Sequence, residues 1–167
     1  MARLLLLSLA EGHRGMHCQG RIPQVVLVDD DVESCRVLAE LLSLEGFDPR
    51  PYPAAVAAWQ AMTSGELHPD VALVDVRMPG ANGVALLQQI KAGFPAIPVF
   101  LMSAFPDERL WADGLRAGAL DVFPKPIHAP SLVRALQQAL ERSGAAPRPA
   151  GENPGPPLAG PPSRRSP

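Results

Sequence analysis

A chain of 167 residues holds one ordinary domain with some residues to spare, and 47% apolar against 19% charged residues is the balance of a globular protein. A net charge of −2 provides no basic excess for general electrostatic attraction to nucleic acid, so no nucleic-acid partner is expected. Two cysteines, Cys18 and Cys35, are too few for a disulfide framework; Cys35 falls inside a helical apolar pattern where an inert buried thiol is expected, which suits a reducing cytoplasmic location.

Residues 1–22 are expected to form a poorly ordered extension. The apolar run at 4–10 follows Arg3 and faintly resembles a signal peptide, but it is far shorter than the ~20 residues a membrane span needs. Glu11, His13 and Arg14 interrupt it with no small-residue cleavage pattern, and Met16 is a second candidate start. No other segment is apolar enough to cross a bilayer, so no membrane association is expected.

From residue 24 onward, short β-branched runs alternate with longer amphipathic segments. Strands are expected at 25–28, 71–75, 99–102 and 121–123, and helices at 32–44, 54–63, 83–92, 107–117 and 130–142. Gly46, Gly65, Gly93, Gly118 and Gly144 stand just past the five helix ends, and Pro130 stands in the first turn of the last helix. Residues 47–53 read as a poorer strand. Pro49, Pro51 and Pro53 cannot donate to a ladder, which places this strand at a sheet edge. Five strands alternating with five helices indicate a (βα)5 α/β fold, a doubly wound five-stranded parallel sheet with helices on both faces. Residues 144–167 contain eight prolines and four glycines and are expected to be a disordered Pro/Gly-rich tail, which leaves 23–143 as the folded domain with no second one after it.

Asp29, Asp30 and Asp31 close the first apolar run, Asp75 closes the second clear one, and Lys125-Pro126 follows the last short strand. In an open parallel sheet these strand ends meet at the edge where ligands bind. Clustered carboxylates need a cation among them, and a hard ion such as Mg²⁺ prefers oxygen ligands, which points to handling of a phosphoryl group. Asp31 also suits an N-cap of the following helix. Asp75, closing a buried run, has no comparable structural purpose.

Four blocks resemble the receiver domain of two-component response regulators, the CheY-like superfamily with a flavodoxin-like fold: Val-Leu-Val-Asp-Asp-Asp at 26–31, Leu-Val-Asp-Val-Arg-Met-Pro-Gly-Ala-Asn-Gly at 73–83, Leu-Met-Ser-Ala at 101–104, and Gly-Ala-Leu-Asp-Val-Phe-Pro-Lys-Pro at 118–126. The resemblance covers about residues 24–142 and implies strand order 2-1-3-4-5. It implies that Asp75 accepts a phosphoryl group from a phosphohistidine of a histidine kinase or phosphotransfer protein. Asp29, Asp30, Asp75 and the backbone carbonyl of Arg77 would hold Mg²⁺, so the Arg77 side chain is expected to matter little. Ser103 would bind a phosphoryl oxygen, Ala104 leaves room beside it, and Lys125 supplies positive charge ahead of a cis-proline at Pro126. The reading is a stand-alone phosphoacceptor, not an enzyme beyond its own phosphorylation and dephosphorylation, signalling to a protein partner through the face made by 107–117 and 130–142 and centred on Trp111.

One position departs from the pattern. The family usually carries an aromatic switch residue three positions before the lysine, and here that residue is Val122; Phe123 follows but faces the other side of the sheet. A degenerate receiver acting only as a docking module is therefore a second reading. A third comes from Asp29-Asp30-Asp31, which fits the Asp-x-Asp opening of the motif of haloacid-dehalogenase-like phosphatases, with Asp29 as nucleophile and Asp31 as general acid. Such enzymes need a further acidic pair after the lysine, and only Glu141 and Glu152 follow Lys125.

Overall fold

In the computed structural model, which describes residues 21–79, 81–105 and 107–143, the apolar runs pair into one parallel sheet. Its strands are β1 (Gln24–Val28), β2 (Asp48–Tyr52), β3 (Val71–Asp75), β4 (Val99–Ser103) and β5 (Asp121–Pro124), in the order β2-β1-β3-β4-β5. All neighbours are parallel, with Val28 opposite both Tyr52 and Val74, and Asp75 opposite Met102. Between them run α1 (Val32–Leu44), α2 (Ala55–Thr63), α3 (Gly83–Gly93), α4 (Glu108–Arg116) and α5 (Ala129–Arg142). The fold is a doubly wound, flavodoxin-like (βα)5 sheet. The expectations for residues 1–20 and 144–167 lie outside the described residues.

Period-two alternation along the strands builds two cores. Val25, Leu27, Leu73, Phe100, Met102 and Phe123 pack under α1 and α5. Val26, Val28, Val74, Leu101 and Val122 pack under α2, α3 and α4. The proline-bearing strand lies at the edge, as the missing N–H groups require. The Asp48 N–H donates to the Pro23 carbonyl, and the Tyr52 carbonyl accepts from the Asp29 N–H. Asp48 and Tyr52 therefore face β1, and by alternation Pro49 and Pro51 occupy the outward positions, where no donor is needed.

Helix ends differ from expectation in small ways with local causes. Ala54 and Asp107 are N-caps and not first helical residues, and the Asp107 carboxylate accepts from the Leu110 N–H at 2.6 Å. Gly93 is the last residue of α3, which Phe94 caps. A Cβ on Gly93 would stand 3.0 Å from the Trp59 ring, so close packing between helices accounts for that glycine. Gly46 and Gly118, at φ 87° and 101°, do end their helices in the left-handed region. A two-residue antiparallel ribbon, Arg77–Met78 with Ala81–Asn82, follows β3. Elements this short carry no periodicity by which to read them.

Candidate functional site

The ends of β1, β3, β4 and β5 converge on one cleft. Asp29 and Asp75 are buried there and Asp30 is exposed at its rim, and one carboxylate oxygen from each lies within 4.8 Å of the others. Lys125, just after β5, reaches across the strand ends. Its Nζ donates to Asp29 Oδ2 and to Asp75 Oδ2, both at 2.8 Å. The remaining oxygens accept main-chain N–H groups, Asp29 Oδ1 from Asp31 at 3.0 Å and Asp75 Oδ1 from Arg77 at 3.2 Å. Each buried carboxylate is thus oriented by its own loop and by one shared ammonium. Burial works against the Lys125 charge, but the hydrogen bonds and negative charges of Asp29 and Asp75 outweigh it and raise its pKa above the usual lysine value.

Ser103, fully buried at the end of β4, accepts from the Phe105 N–H at 3.2 Å, and its carbonyl accepts from the Lys125 N–H at 2.8 Å. Ala104 follows it at the exposed mouth. The Lys125-Pro126 peptide bond is cis. The set Asp29, Asp30 and Asp75 is all hard oxygen, the donor chemistry Mg²⁺ requires.

Asp31 stands apart from the cleft chemistry. Its carboxylate caps α1, accepting from the N–H groups of Glu33 and Ser34 at 3.2 Å and from the Ser34 hydroxyl at 2.7 Å. The Ser34 hydroxyl, followed by that residue's N–H, holds the Asp31 carboxyl below its usual range. The hydrogen bonds of the Asp31 carboxylate thus go to the first turn of α1 and not to the groups of the cleft.

Val122 and Phe123 face opposite cores: Val122 lies beneath α4, and the Phe123 ring packs 5.8 Å from that of Phe100 under α1 and α5. A Cβ on Gly114 of α4 would lie 2.9 Å from Leu101 Cδ1 and 3.4 Å from Val122 Cγ2. At Gly114 the backbone of α4 comes down directly onto the sheet. Trp111 is 48% exposed on the outer side of α4, and its indole N–H donates to Asp121 Oδ1 at 3.2 Å.

Two contacts were not evident in the sequence. Gly83, which closes the block at 73–83, is a packing residue: its N–H donates to the Val76 carbonyl at 3.0 Å, and a Cβ there would collide with the Asp75 carbonyl. Only glycine lets the loop fold back on the end of β3. Phe105 carried no motif signal, and its ring sits under the Arg77 guanidinium, 5.7 Å from carbon to centroid.

A family model described as "Response regulator receiver domain" matches residues 25–137. The transcriptional regulatory protein ZraR of Salmonella typhimurium is 37% identical over 123 residues, which are 73% of this chain and 27% of that protein. The DNA-binding transcriptional regulator NtrC of Escherichia coli is 35% identical over 116 residues, 70% of this chain and 24% of the relative. The chain thus spans about a quarter of the length of these relatives. Among solved structures, a CheY-like receiver domain protein from Methanospirillum hungatei aligns with a TM-score of 0.69 at 19% identity, over 74% of this chain and 98% of the other, a likeness of fold.

Proposed function

The chain belongs to the response regulator receiver domain family, and on that premise we propose that it is phosphorylated on Asp75 by a histidine kinase or phosphotransfer protein and signals through protein contacts. Receiver domains are signalling domains of two-component systems. The observation that carries the assignment is the Lys125 ammonium shared at 2.8 Å between Asp29 and Asp75, with Asp30 alongside.

In this reading an Asp75 oxygen attacks phosphorus as the P–N bond of the donor phosphohistidine breaks. Asp29, Asp30, Asp75 and the Arg77 carbonyl would hold Mg²⁺, which when bound supplies positive charge against the phosphoryl oxygens. Lys125 contributes charge from the other side, and the Ser103 hydroxyl donates to a phosphoryl oxygen. The partner face runs over α4, β5 and α5, where Trp111 and Leu120 are exposed. A protein partner, a cytoplasmic location and no direct nucleic-acid contact by this domain complete the proposal. Among the described residues no helix is long and apolar enough to cross a membrane.

The test is labelling with acetyl phosphate, with and without Mg²⁺. The wild-type chain is expected to form a Mg²⁺-dependent acylphosphate, and Asp75→Asn to fold and form none. Label persisting in Asp75→Asn moves the acceptor elsewhere. No label on a folded wild-type chain favours the docking-module reading, which Val122 motivates.

A further inference from the structure

Two exposed side chains at the mouth of the cleft meet each other. The Arg77 guanidinium lies over the Phe105 ring, although Phe105 is 70% exposed. Each residue is tied by its main chain to a different group of the site: the Arg77 N–H donates to Asp75 Oδ1, and the Phe105 N–H to Ser103 Oγ, both at 3.2 Å. The contact therefore bridges the loop after β3 and the loop after β4. Among the described residues Arg77 forms no ion pair. Its long cationic side chain springs from the residue two positions after the acceptor aspartate and rests on one aromatic face.

We propose that the Arg77 guanidinium is a further ligand of the phosphoryl group on Asp75, and that the Phe105 ring is where it rests until that group arrives. The proposal rests on the receiver reading of the site. A phosphoryl group brings about two negative charges and three acceptor oxygens. A guanidinium fork matches such oxygens bidentately, and that charge-assisted pairing outweighs a cation–π contact at an exposed position. Phosphorylation accordingly trades one partner for the other. Once Arg77 leaves, Phe105 loses its tie to the β3 side, and the loop leading into α4 is released. The exchange gives this chain an external aromatic readout at Phe105, where Val122 offers no aromatic to rotate inward.

The experiment follows the Arg77 Nε–Hε resonance in the full chain, with Mg²⁺ and beryllofluoride as the phosphoryl mimic. In the wild type the resonance is expected to move downfield on beryllofluoride binding, as it leaves the shielding face of the ring. In Phe105→Leu it should start near the downfield position, and beryllofluoride affinity should rise about two- to fivefold, the span an exposed cation–π contact allows. Arg77→Ala should weaken beryllofluoride binding, with partial recovery in Arg77→Lys, which keeps the charge but not the fork. An Arg77 resonance that stays in place while the Asp75 amide reports binding overturns the exchange and leaves the receiver reading standing. A wild-type chain whose Asp75 amide shows no binding overturns both.

Discussion

Helices α1 and α4 each start just after a strand that ends at the cleft, yet they are held to the sheet by different means. Helix α1 buries Cys35, Leu38 and Leu42, and the Asp31 side chain caps its first turn. Helix α4 fully buries only Gly114; Leu110 is partly buried, while Trp111 and Leu115 are 48% and 36% exposed. One helix is anchored by side-chain volume and the other by backbone proximity. Burial of large side chains makes a frame that resists displacement, so the loop carrying Asp29 and Asp30 is tied to a fixed element. A helix seated through a glycine has little apolar area to lose on moving. The side of the cleft that carries Asp29 and Asp30 is thus the more firmly packed, and the side after Ser103 the looser.

Truncating one leucine in each helix puts that contrast to the hardest test. Leu42→Ala should cost about 2–5 kcal/mol, because it opens a cavity in a closed core. Leu115→Ala should stay within about 0.5 kcal/mol. Urea unfolding of the two variants checks this, and equal losses would show that α4 is anchored as firmly as α1.

Gly114→Ala sharpens the account of α4. Alanine improves helix propensity by about 1 kcal/mol, but its Cβ would press on the fully buried Leu101 at 2.9 Å and on Val122 at 3.4 Å. Overpacking of this kind costs about 1–3 kcal/mol, so a net loss near 1 kcal/mol is expected. A gain in stability would mean that α4 does not sit this close to the sheet.

The smallest effect belongs to α1. Burial, with the Asp29 charge adding to it, raises the Cys35 thiol from 9.0 to about 11. Between those values the unfolded chain has released a proton that the folded chain keeps, so stability should fall as pH rises through this window. The Lys125 shift acts in the same direction above 10.5. The difference between wild type and Cys35→Ala therefore isolates the thiol, at about 1 kcal/mol or less at pH 10. A pH-independent difference between the two would show that the thiol is not sheltered by α1.

Much of the fold is legible in the chain because its signals are local. Alternating and helical periodicities mark the strands and helices, proline marks the edge strand, and glycine marks the turns after α1 and α4. The carboxylates at 29, 30 and 75 can be placed at strand ends for the same reason. Glycines that serve packing are different: Gly83, Gly93 and Gly114 are each a point of close approach. Nothing near them in the chain names the Asp75 backbone, the Trp59 ring or Leu101.

By itself, then, the sequence determined the order of elements, the face each side chain takes and the chemistry available at the strand ends, since these depend on residues within a turn or two of one another. The tertiary structure fixed the individual contacts among those groups and added others. Lys125 reaches Asp29 across 96 positions and Asp75 across 50, and Arg77 finds Phe105 from another loop. Such contacts depend on strand order and on how closely α3 and α4 approach the sheet. Periodicity records which side of an element is buried, and it carries no information about what stands opposite.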